Sequence, residues 1–285
     1  MDLKKVNLRK IRDFSRTSPI YFSLGFTLLA ILVHEAFSSF FYYLFPDSVW
    51  VDIANEIAFI IWPVVLVVLF GFSFIFRQRG FRATFGAALP AFLLFGTYLF
   101  GEMATMISNP ATQWKSDPEI FLGVLMLIGV GFREEILYRG VITNAIARKY
   151  GNSTKGLWIT VLSAGAMFGS MHLANVFHNV TFQGSLIQAL SAFGTGVFFC
   201  AVYLRGGSIW TMALLHTLIN SAGAAEVLLT NGAGDLSSVI DGLGLREVIY
   251  IAFDLLLAAF LLRKSKRQKI FDRIQQLKSS EMAEF

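Results

Sequence analysis

Apolar residues gather into eight stretches along the chain, at 20–45, 53–76, 84–107, 119–145, 157–177, 182–204, 208–229 and 245–262. Each is close to the length of about 20 residues that a helix needs to cross the hydrocarbon of a bilayer. The pattern predicts an all-α, polytopic integral membrane protein with about eight transmembrane helices. A basic N-terminal segment (1–18) precedes the membrane-embedded helical domain (19–262), and a basic C-terminal tail (263–285) follows it. The stretch 264–285 is expected to form an amphipathic helix, and the Gly-, Asp- and Ser-rich connection 230–244 to be a flexible loop. The fourth stretch is the least uniform, because Arg133, Glu134, Glu135 and Arg139 interrupt it.

Charge tests that count. If the stretches cross the membrane in turn, the basic residues of both termini, Arg77, Arg79, Arg82, Arg148, Lys149, Lys155 and Arg205 all fall on one side. Of the 24 Lys and Arg residues, Lys115 and Arg246 alone fall on the other side, and Arg133 and Arg139 lie within the membrane. The positive-inside rule then puts both termini in the cytoplasm. The compact chain and short loops point to a multi-pass protein of a prokaryotic plasma membrane.

Composition narrows the class further. Hydrophobic residues make up 55% of the chain and charged residues 15%, against about 25% charged in an ordinary soluble domain. The basic ends lie beside membrane spans, so anionic lipid, and not nucleic acid, is their expected partner. The single cysteine, Cys200, excludes an intrachain disulfide and a cysteine metal site. The basic stretch 4–16 leads into an apolar segment longer than the roughly 7–15 residues of a signal-peptide core, so the first helix is expected to stay.

Ionisable residues inside apolar spans are costly and mark a cavity or a partner. Glu135 and Arg139 are four apart with the acid first, the better order for an ion pair on one helical face. Their pairing leaves Glu134, about 100° around the helix, without a local partner and makes it the candidate general base. His216 and Asn220 are also four apart, so one face offers an imidazole and an amide, both able to donate to a developing oxyanion. Depth is less tidy. Counted from the basic side at about 1.5 Å per residue, Glu134, His172 and His216 lie roughly 17, 22 and 12 Å deep. Only tilted or broken helices would bring them level.

Alone, His172 or His216 reads as an interhelical hydrogen-bonding residue, and Glu135–Arg139 as architecture. Together, Glu134-Glu135-x-x-x-Arg139, Phe168-x-x-x-His172 and His216-x-x-x-Asn220 resemble, in order and internal spacing, the motif set of the CAAX protease and bacteriocin-processing (Abi) family. These are intramembrane endopeptidases, and they include the Ras-converting CAAX endopeptidase. The resemblance covers about residues 119–229, which would be the catalytic core. It implies that Glu134 is the general base, that His172 helps hold and activate a water, and that His216 and Asn220 stabilise the tetrahedral oxyanion. Glu135 and Arg139 would shape the fourth helix, and Asn175, nearly on the face of His172, would support the site. The implied substrate is a membrane-associated peptide or protein, lipidated or not.

Three alternatives stay open. Glu134, His172 and His216 form a two-His, one-carboxylate set that zinc could take, although a cofactor-free mechanism is favoured and no HExxH helix is present: His34-Glu35 begins one, but Ser38 stands where the second His belongs. An ion- or proton-coupled transporter would use the same buried charges, but no paired broken helices in an inverted repeat are evident. A non-catalytic membrane scaffold would retain the helices without needing all three motifs. Among the remaining polar residues, His178 is expected at the membrane edge, and Glu102 and Asp254 are expected to line the bundle or hydrogen-bond across it.

Overall fold

The computed structural model describes residues 3–44, 48–77 and 80–282. Phe45 at the end of the first predicted span, Arg79, the last three tail residues and the side chains of Lys4, Lys5 and Arg9 lie outside the described residues. Helices α1 (Leu3–Thr17), α2 (Pro19–Leu44), α3 (Val49–Leu69) and α4 (Phe81–Ser108) come first. Next, α5 (Asp117–Glu135) runs without a break through a π-helix (Ile136–Thr143) into α6 (Asn144–Tyr150). Helix α7 (Thr154–Met171) ends in a 3-10 segment (His172–Phe177), and α8 (Phe182–Gly206), α9 (Ile209–Leu229), α10 (Leu236–Asp241), α11 (Leu245–Leu261) and α12 (Lys264–Met282) follow.

Helix boundaries follow local chemistry. Pro19 opens α2, where its missing N–H would be unpaired in any residue. Ser153, Thr181 and Ser208 accept the N–H groups of Gly156, Gly184 and Thr211 and so cap α7, α8 and α9. Ser116 and Glu119 form a capping box on α5. Gly207 stops α8 at φ 89°, a left-handed conformation that an L side chain resists.

Among the described residues, six helical segments are long and apolar enough to cross a membrane: Pro19–Phe41, Val49–Leu69, Phe81–Ser108, Thr154–Phe177, Phe182–Gly206 and Ile209–Leu229. The predicted fourth and eighth spans do not reach that measure. Charged residues cut the apolar run of α5, and α11 has 17 residues that include Arg246, Glu247 and Asp254. The expected C-terminal helix is present as α12, and the basic N-terminus is itself helical as α1. The 230–244 connection is more ordered than its composition suggests. Asp235 accepts the N–H of Ser238 at 2.9 Å while its own N–H donates to the Ser238 hydroxyl at 3.1 Å, and that reciprocal cap starts α10.

The bundle has two unlike ends. At one, basic connections meet: Lys149 donates to the Thr17 carbonyl, Arg205 to the Lys266 carbonyl at 3.3 Å, and Arg267 to Thr154 at 3.0 Å. At the other, the Asn231 N–H donates to Gln113 at 2.7 Å, and Thr181 donates to Asp241 at 2.6 Å. The side chains nearer the basic end, among them Ile142, Ile146, Tyr203, Leu204 and Ile209, are fully buried in one close-packed core. Toward the other end the helices part around a cavity.

Candidate active site

Two close helix contacts position the motifs. On α5, a Cβ at Gly123 would lie 2.8 Å from the Leu228 carbonyl oxygen, and one at Gly131 would lie 2.8 Å from the Thr217 backbone nitrogen. Only glycine lets α5 and α9 approach this far, and that approach sets Glu134 and Glu135 against His216. On α7, a Cβ at Gly169 would lie 2.5 Å from the Ala189 carbonyl oxygen of α8. The α7–α8 contact delivers His172 at the point where α7 gives way to its 3-10 end.

Immediately after Glu135 the chain widens into the π-helix, a form that recurs at functional sites. Side chains bond across the wider turns: Thr143 Oγ1 donates to the Tyr138 carbonyl at 2.9 Å, and Asn144 Nδ2 donates to the Gly140 carbonyl at 2.8 Å and to the Tyr203 hydroxyl at 2.9 Å. The π-helix and the 3-10 end of α7 are two departures from regular α-helix beside the site.

Glu135 and Arg139 pair as the spacing predicts, at 3.0 Å and with no exposure of either side chain. Phe168 and Phe199 flank the guanidinium, which lies 4.5 Å and 4.9 Å from their ring centres. Glu135 has a second partner that spacing did not reveal: its Oε1 lies 2.8 Å from His216 Nδ1. An ionised carboxylate only accepts, so Nδ1 carries the proton and Nε2 faces the cavity. Nε2 lies 3.7 Å from Glu134 Oε2. His216 thus bridges the two adjacent glutamates of α5, while Phe168 and Phe199 meet its ring edge-on at 5.8 Å and 5.5 Å. Phe168 also contacts the His172 ring at 5.2 Å. The motif phenylalanine is therefore the common wall between the ion pair and both histidines.

Glu134, His172, Asn175, His216 and Asn220 all line one cavity of about 830 Å³. Asn175 donates to Gln188 of α8 at 2.5 Å, which ties the 3-10 segment across the cavity. The opposite wall, from α2 and α3, contributes groups that the motif reading passed over. Glu56 pairs with Arg133 at 3.0 Å, Glu35 pairs with His178 at 3.1 Å, and His34 stacks on Phe59 at 4.2 Å between ring centres. Their signal was present in the sequence as ionisable residues inside apolar spans. Away from the site, Asp254 accepts from Thr195 at 2.8 Å between α8 and α11, while Glu102 and Glu226 line a separate cavity.

Among the described residues no three His, Cys, Asp or Glu side chains are gathered closely enough to hold a metal ion. Glu134, His172 and His216 all line the cavity.

Residues 116–222 match the family described as type II CAAX prenyl endopeptidase Rce1-like. No curated protein and no solved structure gives a match. The matched segment holds all three motifs, and the match supports for this chain the CAAX protease family that those motifs resemble.

Proposed function

We propose that the protein is an intramembrane endopeptidase that hydrolyses a peptide bond of a membrane-associated peptide or protein. One observation carries the reading: Glu134, His172, His216 and Asn220, from three separate helices, line one cavity. Its volume far exceeds the share of about 30 Å³ that one water occupies. A peptide segment and an attacking water fit there together.

Glu134 takes a proton from a water that His172 helps to hold, and the water oxygen attacks the scissile carbonyl carbon. The carbonyl oxygen becomes an oxyanion, which His216 and the Asn220 amide stabilise. Glu135 fixes the orientation of the His216 ring through Nδ1, which turns Nε2 toward the cavity. As the intermediate collapses, Glu134 returns the proton to the departing amine.

The membrane peptides of cells carrying wild type, Glu134→Ala or His172→Ala test this reading. A set of cleavage products that vanishes in both variants, with normal insertion of each, supports it. The same products at wild-type level in both variants eliminate it.

A further inference from the structure

The cavity runs from a closed floor to an open mouth, and the exposure of its ionisable residues gives the direction. At the floor, Glu134 and His216 are 7% and 6% exposed. At the mouth, the paired His178 and Glu35 side chains are 48% and 39% exposed. Below the floor, Arg139, Ile142 and Tyr203 are fully buried, so the core closes the path toward the basic end. The mouth therefore stands at the end of the bundle where α2 finishes and the 3-10 segment of α7 gives way to α8, with α10 across from them.

That end carries almost no positive charge. Of the 24 Lys and Arg residues, only Lys115 and Arg246 belong to its connections, while the termini and the connections around Arg77, Arg148 and Arg205 load the opposite end. Basic connections remain in the cytoplasm during insertion, and the bias here is nearly complete. We infer that the cavity is entered from the extracytoplasmic face, so that its substrate is a peptide segment presented at the outer surface or in the outer half of the bilayer. The side of entry follows from charge and exposure alone. The word substrate rests on the peptidase reading above.

Residue labelling and cleavage separate the two. In a Cys200→Ala background, His178→Cys marks the mouth and Lys155→Cys marks the basic end, both at exposed positions. A membrane-impermeant maleimide should label His178→Cys in intact cells and Lys155→Cys only in inside-out vesicles, each relative to full labelling in detergent. Labelling of His178→Cys only in inside-out vesicles overturns the inference. For cleavage, a peptide found in the proteomic comparison is added to sealed vesicles of each orientation. Glu134-dependent cleavage confined to right-side-out vesicles supports extracytoplasmic entry, and cleavage confined to inside-out vesicles overturns it while keeping the peptidase. External labelling of His178→Cys without Glu134-dependent cleavage in either orientation keeps the entrance and removes the peptidase.

Discussion

Arg139 and Glu134 are five residues apart in one continuous helical run, yet their surroundings differ in kind. Arg139 lies wholly buried against Glu135 and between two phenylalanine rings, in a core that continues to the basic end. Glu134 stands at the floor of a large cavity, with the Nε2 of His216 as its polar neighbour at 3.7 Å. A buried, paired charge contributes to architecture, and removing its partner strands the other. A charge facing a cavity remains able to exchange a proton with water. On the proposed mechanism, one set of ionisable groups holds the fold and the other faces the reaction.

Glu134→Gln should break that contrast most sharply. Loss of a general base lowers turnover by about 10²–10⁴-fold. Because the amide keeps the shape, the unfolding midpoint in detergent should not move. A shifted midpoint with retained turnover would place Glu134 in the architecture. Arg139→Met should do the reverse, costing about 3–5 kcal/mol of stability by stranding Glu135, as read by denaturant unfolding. Wild-type stability with lost cleavage would move Arg139 into the chemistry. Asn220→Ala removes one proposed oxyanion donor, so kcat should fall by about 10²–10³-fold with KM held. A rise in KM alone would make Asn220 a substrate contact.

Smaller tests sharpen the picture at the edges. A chelator such as 1,10-phenanthroline should leave cleavage unchanged, and inhibition reversed by added zinc would restore the metal alternative. In α10, the Ser238 N–H and the Ser237 hydroxyl hold the Asp235 carboxyl below the usual carboxylate range. Its stabilising contribution is therefore present at neutral pH and is lost as pH falls through that depressed value. Asp235→Ala should speed amide exchange in α10 at neutral pH and leave the α5 core protected.

Much of this was legible in the chain because a bilayer tolerates so few polar residues. Six of the apolar stretches appear as long apolar helices, and the polar residues of the fourth, fifth and seventh stretches led to five cavity-lining side chains. The pairing of Glu135 with Arg139 was readable because it lies within one helix turn. What spacing could not show was any contact between helices. The hydrogen bond from His216 to Glu135 depends on how closely Gly131 lets α5 meet α9. The π-helix also escaped, since its residues read equally well as ordinary helix. The fourth and eighth stretches were counted as spans because their flanks are apolar, but charge in α5 and the short length of α11 set them apart. The α2 and α3 wall was missed because Glu35 and Glu56 belong to no motif, although their cost in an apolar span marked them.

Hydrolysis in water enriched in oxygen-18 tests the central claim most directly. With purified protein in liposomes and a cleaved membrane peptide, wild type should place one heavy oxygen in each new C-terminal carboxylate, and Glu134→Gln should yield almost no labelled product. Equal labelled product from both proteins would contradict a water activated by Glu134 at the floor of this cavity.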